Sequence, residues 1–409
     1  MASEDFFYTC RLDSGIRALV MPSVSPITYV GFMINAGSRD ERNNEKGLAH
    51  FIEHTIFKGT TNRNNRQIID RIENVGGEIN AYTTKEETAL YCCVVNRYVE
   101  RAVELMADML LRSTFPEEQL EKEKQVIIEE IDSYKDNPAE QIYDDFEDYL
   151  FGNHELGHNI LGSTNNVRRF GANDAKRFME RTYHSDSIVF FCYTSLPPKR
   201  VCDWAQKHFY RVPFCEPRSP RVKPQNYVPK QHPTKLKHHQ VHCVIGGLSA
   251  DMHSKDWYAT NLLNNIIGGP GMNSRLNLLL REKHGLVYTV ESSLVSFTDT
   301  GVWSVYFGCD RNDVDTCLKL INNNLNELCQ QQITETLLRK YKTQIKGQLA
   351  IASQNAENVI LSYAKNFLHR CELSTWTQVA EYYDAITAEQ LLEIARRTVS
   401  PELLSTISM

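Results

Sequence analysis

The alternation of apolar and polar positions follows the same course in both halves of the chain. In each half a strand is followed by two helices, then by two strands and a longer helix. In the first half these elements are predicted at 27–35, 47–57, 65–75, 78–82, 88–95 and 99–111. In the second half they are predicted at 240–246, 257–267, 274–283, 287–296, 301–307 and 314–325. The repeat predicts an α+β fold of two homologous domains, each with helices packed on a largely antiparallel sheet.

A proline-rich segment separates the two halves. Six of the 14 prolines lie between Pro213 and Pro233, with arginines and lysines among them. Proline has no backbone N–H and fixes its own φ angle, so this segment cannot form a helix or a central strand. It predicts an extended linker, 213–235, between a first domain, 1–212, and a second domain, 236–409.

Composition and charge exclude several classes of protein. The 409 residues carry a net charge of -6 without a long basic run, so nothing favours nucleic acid or a membrane surface as a partner. No apolar run reaches the ~18 residues of a membrane span, and the acidic start predicts neither a signal nor a transit peptide. The 11 cysteines are odd in number and include no C-x-x-C pair. We therefore expect free thiols and a reducing, cytoplasmic location.

The segment 47–59, GLAHFIEHTIFKG, predicts a buried helix because it is apolar almost all round. His50 and His54 stand four residues apart and project from one face of that helix, with Glu53 on the same side. Two neutral imidazoles make half of a zinc site, and activation of a zinc-bound water explains a carboxylate beside them. The alternative of two histidines satisfied within a core is less favoured, because it leaves the buried Glu53 without a reason.

A later helix offers the third protein ligand that a catalytic zinc needs. Thr114 and Pro116 open this helix, and Glu123 and Glu130 fall together on one edge of its apolar stripe. At about 100° per residue, Glu129 points nearly opposite, toward solvent. Glu130 is therefore the better ligand, and Glu123 is a carboxylate that orients the ligands. The sequence leaves open that both are surface carboxylates of a charged helix.

A rival motif lies at 154–158, which spells the forward zinc-protease pattern H-E-x-x-H. That pattern works only on a helix, whereas glycines and asparagines crowd 152–162 and predict a loop. Glu180 could serve as its third ligand but would need the same missing helix. Leu161 also occupies the position where the extended form has Gly. We interpret this stretch as a chance match.

Taken together, these features resemble the pitrilysin/insulinase family of metallopeptidases, the inverzincins. The H-x-x-E-H helix is followed by FKGT at 57–60 and by GGEINAYTTKEETALY at 76–91. EKEKQVIIEEI at 121–131 places a glutamate 76 positions after the second histidine, and GGPGMNSRLNLLLREKHGLVYTV at 268–290 is similar to the C-terminal motif of the family. The resemblance covers nearly the whole chain and is strongest to short, two-domain members of the processing-peptidase type.

The resemblance implies a role for each matching residue near the motif. His50, His54 and Glu130 match the ligands of one zinc ion per chain. Glu53 matches the general base that takes a proton from the metal-bound water, and Glu123 matches a glutamate outside the ligand set that the family shares.

It also implies substrate-binding residues in both halves. Asn80 and Ala81 fall on the strand that pairs with substrate in the family. Arg281 and Tyr288 match a pair that holds substrate and stabilises the tetrahedral intermediate. From the residues alone, structural roles explain both equally well: Arg281 as a cation at the end of a helix and Tyr288 as a core aromatic.

A hand alignment of the halves places Asn261, Asn264 and Asn265 opposite the three H-x-x-E-H residues. The second domain is then a metal-free copy that supplies substrate contacts. In the family four such domains enclose a chamber, which implies that a two-domain chain dimerises. Arg281 and Tyr288 are then expected to serve the zinc of the partner chain.

These features predict a zinc metalloendopeptidase that hydrolyses short or unfolded peptides within an enclosed chamber. The peptide is expected to add a strand beside Asn80 and Ala81, and the partner is expected to be a second copy or a homologous subunit. One alternative is a specific presequence-processing peptidase that acts with a different partner chain. The other is a non-catalytic assembly subunit, against which the complete motif counts.

Overall fold

The computed structural model describes residues 6–213, 221–225, 227–232 and 240–409. The predicted linker, 213–235, therefore lies partly outside the described residues. Within its described part, Gln231–His232 forms a short strand that pairs in parallel with Thr406 and Ile407. The predicted domain boundaries on either side of the linker stay a prediction.

Contacts divide the chain into two compact units that exchange segments. The first unit contains the chain up to Ser133, the segment that starts at His158, and Ala352–Leu373. The second unit contains Tyr134–Gly157, most of the chain after the linker, and Ser374–Met409. Each unit thus includes one stretch from the other half of the sequence.

The strands form one sheet in each unit. They are β1 Tyr8–Arg11, β2 Arg17–Pro22, β3 Ile27–Ile34, β4 Glu78–Thr83, β5 Thr88–Val95, β6 Ile188–Thr194, β7 Gln231–His232, β8 Gln240–Ser249, β9 Val287–Ser296, β10 Gly301–Asp310 and β11 Ser405–Ser408. The strand order is β1-β2-β6-β3-β5-β4 in the first sheet and β7-β11-β8-β10-β9 in the second. Within these sheets β2 pairs with β6, and β7 with β11, in parallel, and the other neighbouring strands are antiparallel.

The helices pack on these sheets. They are α1 Leu48–Thr55, α2 Asn65–Glu73, α3 Val99–Arg112, α4 Glu117–Lys135, α5 Pro138–Phe151, α6 Thr164–Arg169, α7 Ala172–Thr182, α8 Pro198–His208, α9 Trp257–Gly268, α10 Val314–Gln330, α11 Glu335–Ala352, α12 Ala356–His369, α13 Trp376–Ala385 and α14 Ala388–Thr398. The predicted α+β class, with helices on largely antiparallel sheets, is confirmed. Among the helices of the described residues, none has the length and hydropathy of a membrane span.

The helix α1 lies inside the core of the first unit. Leu48, Ala49, Phe51 and Ile52 have no exposed surface. Burial of each large apolar side chain stabilises the fold by about 1.5–3 kcal/mol. The helix that carries the H-x-x-E-H motif is therefore fixed on nearly all sides, as its apolar composition predicts.

One predicted helix differs in its winding. The segment predicted as a helix at 274–283 forms a π-helix, Asn277–Lys283. A π-helix is rare and often lies at a functional site, and this one carries Arg281. Apolar periodicity indicates a helix but does not distinguish the α from the π form over so short a segment.

Candidate metal centre

Two helices of the first unit bring three potential metal ligands together. His50 and His54 lie on α1 and Glu130 on α4, and their donor atoms lie within 4.8 Å of one another. Within the described residues this is the one group of three or more His, Cys, Asp or Glu side chains with such a geometry. Glu129 is exposed and points away, as the helical spacing predicts.

The distances within this group fit a metal ion. The Nε2 atom of His50 lies 3.7 Å from Glu130 Oε1, and the Nε2 atom of His54 lies 3.4 Å from Glu130 Oε2. Both distances exceed the usual length of a hydrogen bond. Two ligands at the typical zinc bond lengths, arranged tetrahedrally, stand about 3.3 Å apart. His50 Nδ1 is buried and finds no hydrogen-bond partner among the described residues.

Glu123 orients the second histidine. Its Oε1 lies 3.0 Å from His54 Nδ1, and its Oε2 lies 2.6 Å from Lys58 Nζ. The histidine thus turns Nδ1 toward Glu123 and leaves Nε2 facing Glu130. Carboxylates that bind the far nitrogen of a ligand imidazole fix its tautomer and raise its basicity. The contact of Glu123 with Lys58 was not predicted from the sequence.

The protonation states of the two rings differ in the metal-free protein. Burial and the nearby charge of His54 lower the pKa of His50 to about 4, so its ring is neutral. Burial also opposes the charged form of His54, but the hydrogen bond to Glu123 and the nearby charge of Glu130 outweigh it and raise the pKa of His54 to about 9. A proton therefore occupies this site near neutral pH until a metal ion displaces it.

Glu53 is half-buried on the same helix and is not one of the three clustered groups. Burial raises the pKa of its carboxyl above the usual range, while Thr83 at the end of β4 and the charge of His54 act in the opposite direction. The Thr83 hydroxyl is buried and completes no hydrogen bond of standard geometry among the described residues. A carboxylate with a raised pKa is a stronger proton acceptor near neutral pH.

A buried carboxylate that the sequence did not reveal holds the start of α1. Glu41 accepts hydrogen bonds from the backbone N–H of Gly47 (2.9 Å) and of Ala49 (2.7 Å). It also lies 2.9 Å from His158 Nε2. Gly47 adopts φ 96°, a left-handed conformation that favours glycine. These contacts satisfy free N–H groups at the helix start and fix where α1 begins.

The rival H-E-x-x-H segment is a loop, as predicted. His154 Nε2 lies 2.8 Å from the carbonyl oxygen of Val222, and its Nδ1 accepts from the N–H of Leu156. His158 instead contacts Glu41. Neither histidine belongs to a group of metal-ligand residues within the described part of the chain.

The predicted substrate strand lies at the edge of the first sheet. Asn80 and Ala81 belong to β4, where they pair with Tyr91 and Leu90 of β5. The other side of β4 pairs with no described strand, so its backbone groups are available to an added strand.

Arg281 and Tyr288 lie together in the second unit. They line one cavity of about 230 Å³ with the glycine-rich turn 269–272. Both side chains are exposed, and 67% of the Tyr288 surface is accessible. Tyr288 is therefore not the core aromatic that its residue type alone allowed.

The second unit carries three asparagines on the helix that the predicted repeat places opposite α1. Asn261, Asn264 and Asn265 lie on α9, and the Asn265 amide donates to Gln348 Oε1 of α11 at 2.8 Å. Gln348 stands ten residues after Leu338 in α11, as Glu130 does after Leu120 in α4. Neutral amides are poor zinc ligands, and the metal-free second domain stays a prediction.

Two family models match the chain. The model described as Insulinase (Peptidase family M16) matches residues 18–164, and that of the Peptidase M16 inactive domain matches residues 169–345. An uncharacterized zinc protease, YmxG, of Bacillus subtilis (strain 168) is 30% identical over 392 residues, which cover 95% of this chain and 94% of YmxG. The chain belongs to peptidase family M16. It is a two-domain member, and the resemblance inferred from the sequence is confirmed.

Other M16 proteins match over similar lengths. The mitochondrial-processing peptidase subunit beta of Homo sapiens is 27% identical over 401 residues, covering 96% of this chain and 81% of that subunit. A solved structure of a protease from Helicobacter pylori superposes with a TM-score of 0.89 at 20% identity, covering 98% of each chain. A structure of a peptidase M16 inactive domain from Pseudomonas fluorescens also has a TM-score of 0.89, at 19% identity, and covers 98% of this chain and 97% of its own. These structural matches support the fold, and the names of the relatives support a zinc-dependent peptidase.

Proposed function

We propose that this M16 protein is a zinc-dependent endopeptidase that hydrolyses short or unfolded peptides in an enclosed chamber. The observation that carries the proposal is the convergence of His50, His54 and Glu130 from two helices, with Glu53 beside them on α1. Three protein ligands with a neighbouring carboxylate are typical of catalytic rather than structural zinc sites, because a structural site has four protein ligands.

The donor set fits one zinc ion per chain. A zinc ion held there supplies a Lewis acid that polarises the scissile carbonyl and lowers the pKa of a coordinated water. His50 and His54 contribute neutral imidazoles, and Glu130 contributes one negative charge. Glu123 keeps His54 in the tautomer whose Nε2 faces the ion.

Glu53 is the proposed general base. Its carboxylate accepts the proton of the attacking water and delivers it to the leaving amine. Burial strengthens the carboxylate as a proton acceptor. The proposal assigns no direct metal contact to Glu53, in agreement with its place outside the ligand cluster.

The substrate is proposed to bind as an extended strand along β4. Asn80 and Ala81 offer backbone groups at this edge, so recognition reads the peptide backbone more than its side chains. Arg281 and Tyr288 are proposed to hold the substrate and to donate to the developing oxyanion, serving the metal site of a second subunit. Their placement in one cavity supports their action as a pair.

The substitution Glu53→Gln tests this function. It keeps the shape and the ligands but removes the proton acceptor, so zinc content is expected to stay at the wild-type level. Turnover of an unfolded peptide is expected to fall by about 10²–10⁴-fold. Zinc by mass spectrometry and kcat on a fluorogenic peptide are the two measurements. Wild-type turnover in this variant would refute the mechanism.

A presequence-processing role with a different partner chain is the second candidate. It is favoured by the similarity to a protein named as the beta subunit of a mitochondrial processing peptidase. Activity of the purified chain alone on an unrelated unfolded peptide separates the two roles. A broad peptidase cleaves it without help, whereas a processing subunit needs its partner. A non-catalytic assembly role predicts no cleavage of a peptide, whether the chain is alone or together with its partner.

A further inference from the structure

The helix α11 and the glycine-rich turn that precedes Arg281 line a second, larger cavity in the second unit. Its volume is about 660 Å³. Six of its lining residues lie on α11, and the other two, Gly271 and Asn273, lie in or next to the turn. We refer to this space as the α11 cavity.

Hydrogen bonds between amides hold the turn against α11. Asn273 Nδ2 donates to Gln344 Oε1 at 3.0 Å, and Gln344 Nε2 donates to Asn273 Oδ1 at 3.1 Å. Asn265 Nδ2 of α9 donates to Gln348 Oε1 at 2.8 Å. A Cβ atom at Gly271 would lie 2.6 Å from Asn273 Oδ1, so a larger residue there would displace this amide. The two walls of the α11 cavity are therefore joined before any ligand binds.

The α11 cavity presents cations and hydrogen-bond donors. Arg339 and Lys340 contribute two positive charges, and no Asp or Glu is among the described residues that line it. Thr336 contributes a hydroxyl group. Gln348 accepts through its oxygen from Asn265, which leaves the amide nitrogen of Gln348 to donate to a ligand. Guanidinium, ammonium and amide donors in one place are the groups that bind a carboxylate.

Arg339 and Lys340 differ from the other two lysines of α11 in their partners. Lys346 Nζ forms an ion pair with Asp384 of α13 at 2.6 Å, and Lys342 Nζ donates to the carbonyl oxygen of Asp384 at 2.8 Å. Within the described part of the chain, neither Arg339 nor Lys340 has an ion-pair partner. The cations that line the α11 cavity are thus the ones available to a ligand.

The α11 cavity adjoins the cavity of Arg281 and Tyr288. Gly271 lines both, so the two spaces meet at the glycine-rich turn 269–272. A peptide that is held at Arg281 and Tyr288 and continues across this turn therefore reaches Arg339 and Lys340.

We propose that the α11 cavity is a substrate subsite that binds a carboxylate of the peptide, either its C-terminal carboxylate or an acidic side chain. The proposal rests on the proposed function, in which Arg281 and Tyr288 hold the substrate. Arg339 offers a planar guanidinium that can donate two parallel hydrogen bonds, and Lys340 offers a point charge. Because both side chains are exposed, salt screens their attraction and each contributes modestly. The subsite favours peptides that carry a carboxylate without requiring one sequence.

Binding to the Glu53→Gln chain, which is expected to hold substrate without cleaving it, tests the subsite. Three peptides of one sequence are compared by isothermal titration calorimetry. The first has a free C-terminus and no acidic residue, the second has an amidated C-terminus and one glutamate, and the third has an amidated C-terminus and glutamine in place of that glutamate.

Arg339→Gln together with Lys340→Gln is expected to raise the Kd by about fivefold or more for at least one of the two peptides with a carboxylate. The Kd of the third peptide is expected to stay unchanged. The peptide that responds identifies the source of the carboxylate. An unchanged Kd for both peptides with a carboxylate would overturn the proposal.

The matched control is Lys342→Gln together with Lys346→Gln, which removes two positive charges from the same helix. It is expected to leave all three Kd values unchanged, because neither lysine lines the α11 cavity. Equal weakening by the two double variants would show a general attraction to the charge of α11 and would also overturn the proposal. If the first double variant does not fold, Lys340→Glu takes its place and is expected to raise the same Kd values.

The wild-type chain separates a failure of the subsite from a failure of the proposed function. Its KM is expected to be lower for the peptide that responds than for the third peptide, with a similar kcat. Cleavage of all three peptides with equal KM would keep the peptidase and remove the subsite. Selective binding of a peptide with a carboxylate, without cleavage of any peptide, would refute the peptidase and keep the α11 cavity as a carboxylate site.

Discussion

At the residue scale, the helical period accounts for the candidate metal site. A spacing of four residues places His50 and His54 on one face of α1, and a spacing of seven places Glu123 and Glu130 on one edge of α4. The partners of these residues could not be predicted in the same way. Lys58 meets Glu123, and Glu41 meets the start of α1, through the fold rather than through any local pattern.

Zinc binding should release a proton from His54. In the metal-free protein Glu123 and Glu130 raise the pKa of His54 to about 9, so the ring is protonated at pH 7. A zinc ligand must be neutral, and the affinity for zinc should therefore rise by about tenfold per pH unit between pH 6 and 8. Calorimetry in buffers of different ionisation enthalpy measures the protons released. Release of none at pH 7 would mean that His54 is already neutral without zinc.

At the element scale, most of the fold follows from the apolar pattern. The predicted strand at 88–95 is β5, and the predicted helix at 257–267 is α9 with one added residue. The loop at 154–158 was also predicted, from its glycines and asparagines. The π winding of 277–283 was not, because apolar spacing over seven residues fits both helix types.

The start of α1 depends on Glu41. Glu41→Ala removes two hydrogen bonds to backbone N–H groups and leaves His158 without its partner. The free energy of unfolding is expected to fall by about 1–3 kcal/mol. Zinc binding is also expected to weaken, because His50 and His54 lie on the helix whose start Glu41 holds. Urea denaturation measures the first effect. The matched control is His154→Ala in the loop, and equal stability of the two variants would contradict the assigned role of Glu41.

At the scale of the whole molecule, the two halves are related domains, but each compact unit borrows a segment from the other half. The pattern of α12 shows which of its faces is apolar, not which sheet that face covers. Its docking through Glu87 and Tyr91 depends on contacts across more than 260 residues of sequence. For this reason the exchange of α5 and α12 between the two units could not be predicted from the sequence.

Sharing of a site between subunits can be tested by complementation. Arg281→Ala and Glu53→Gln chains are co-expressed, so that mixed dimers form alongside the two parent dimers. If Arg281 serves the partner's metal site, each mixed dimer contains one intact site, and about a quarter of wild-type activity should return. Activity no higher than that of the separate variants would show that Arg281 does not act across subunits.

The central claim is that the H-x-x-E-H helix, and not the H-E-x-x-H loop, holds the metal. Zinc content per chain, measured in the purified wild type, His50→Ala and His154→Ala, tests it most directly. We predict one zinc ion per chain in the wild type and in His154→Ala, and loss of zinc in His50→Ala. Zinc retained in His50→Ala and lost in His154→Ala would contradict the claim.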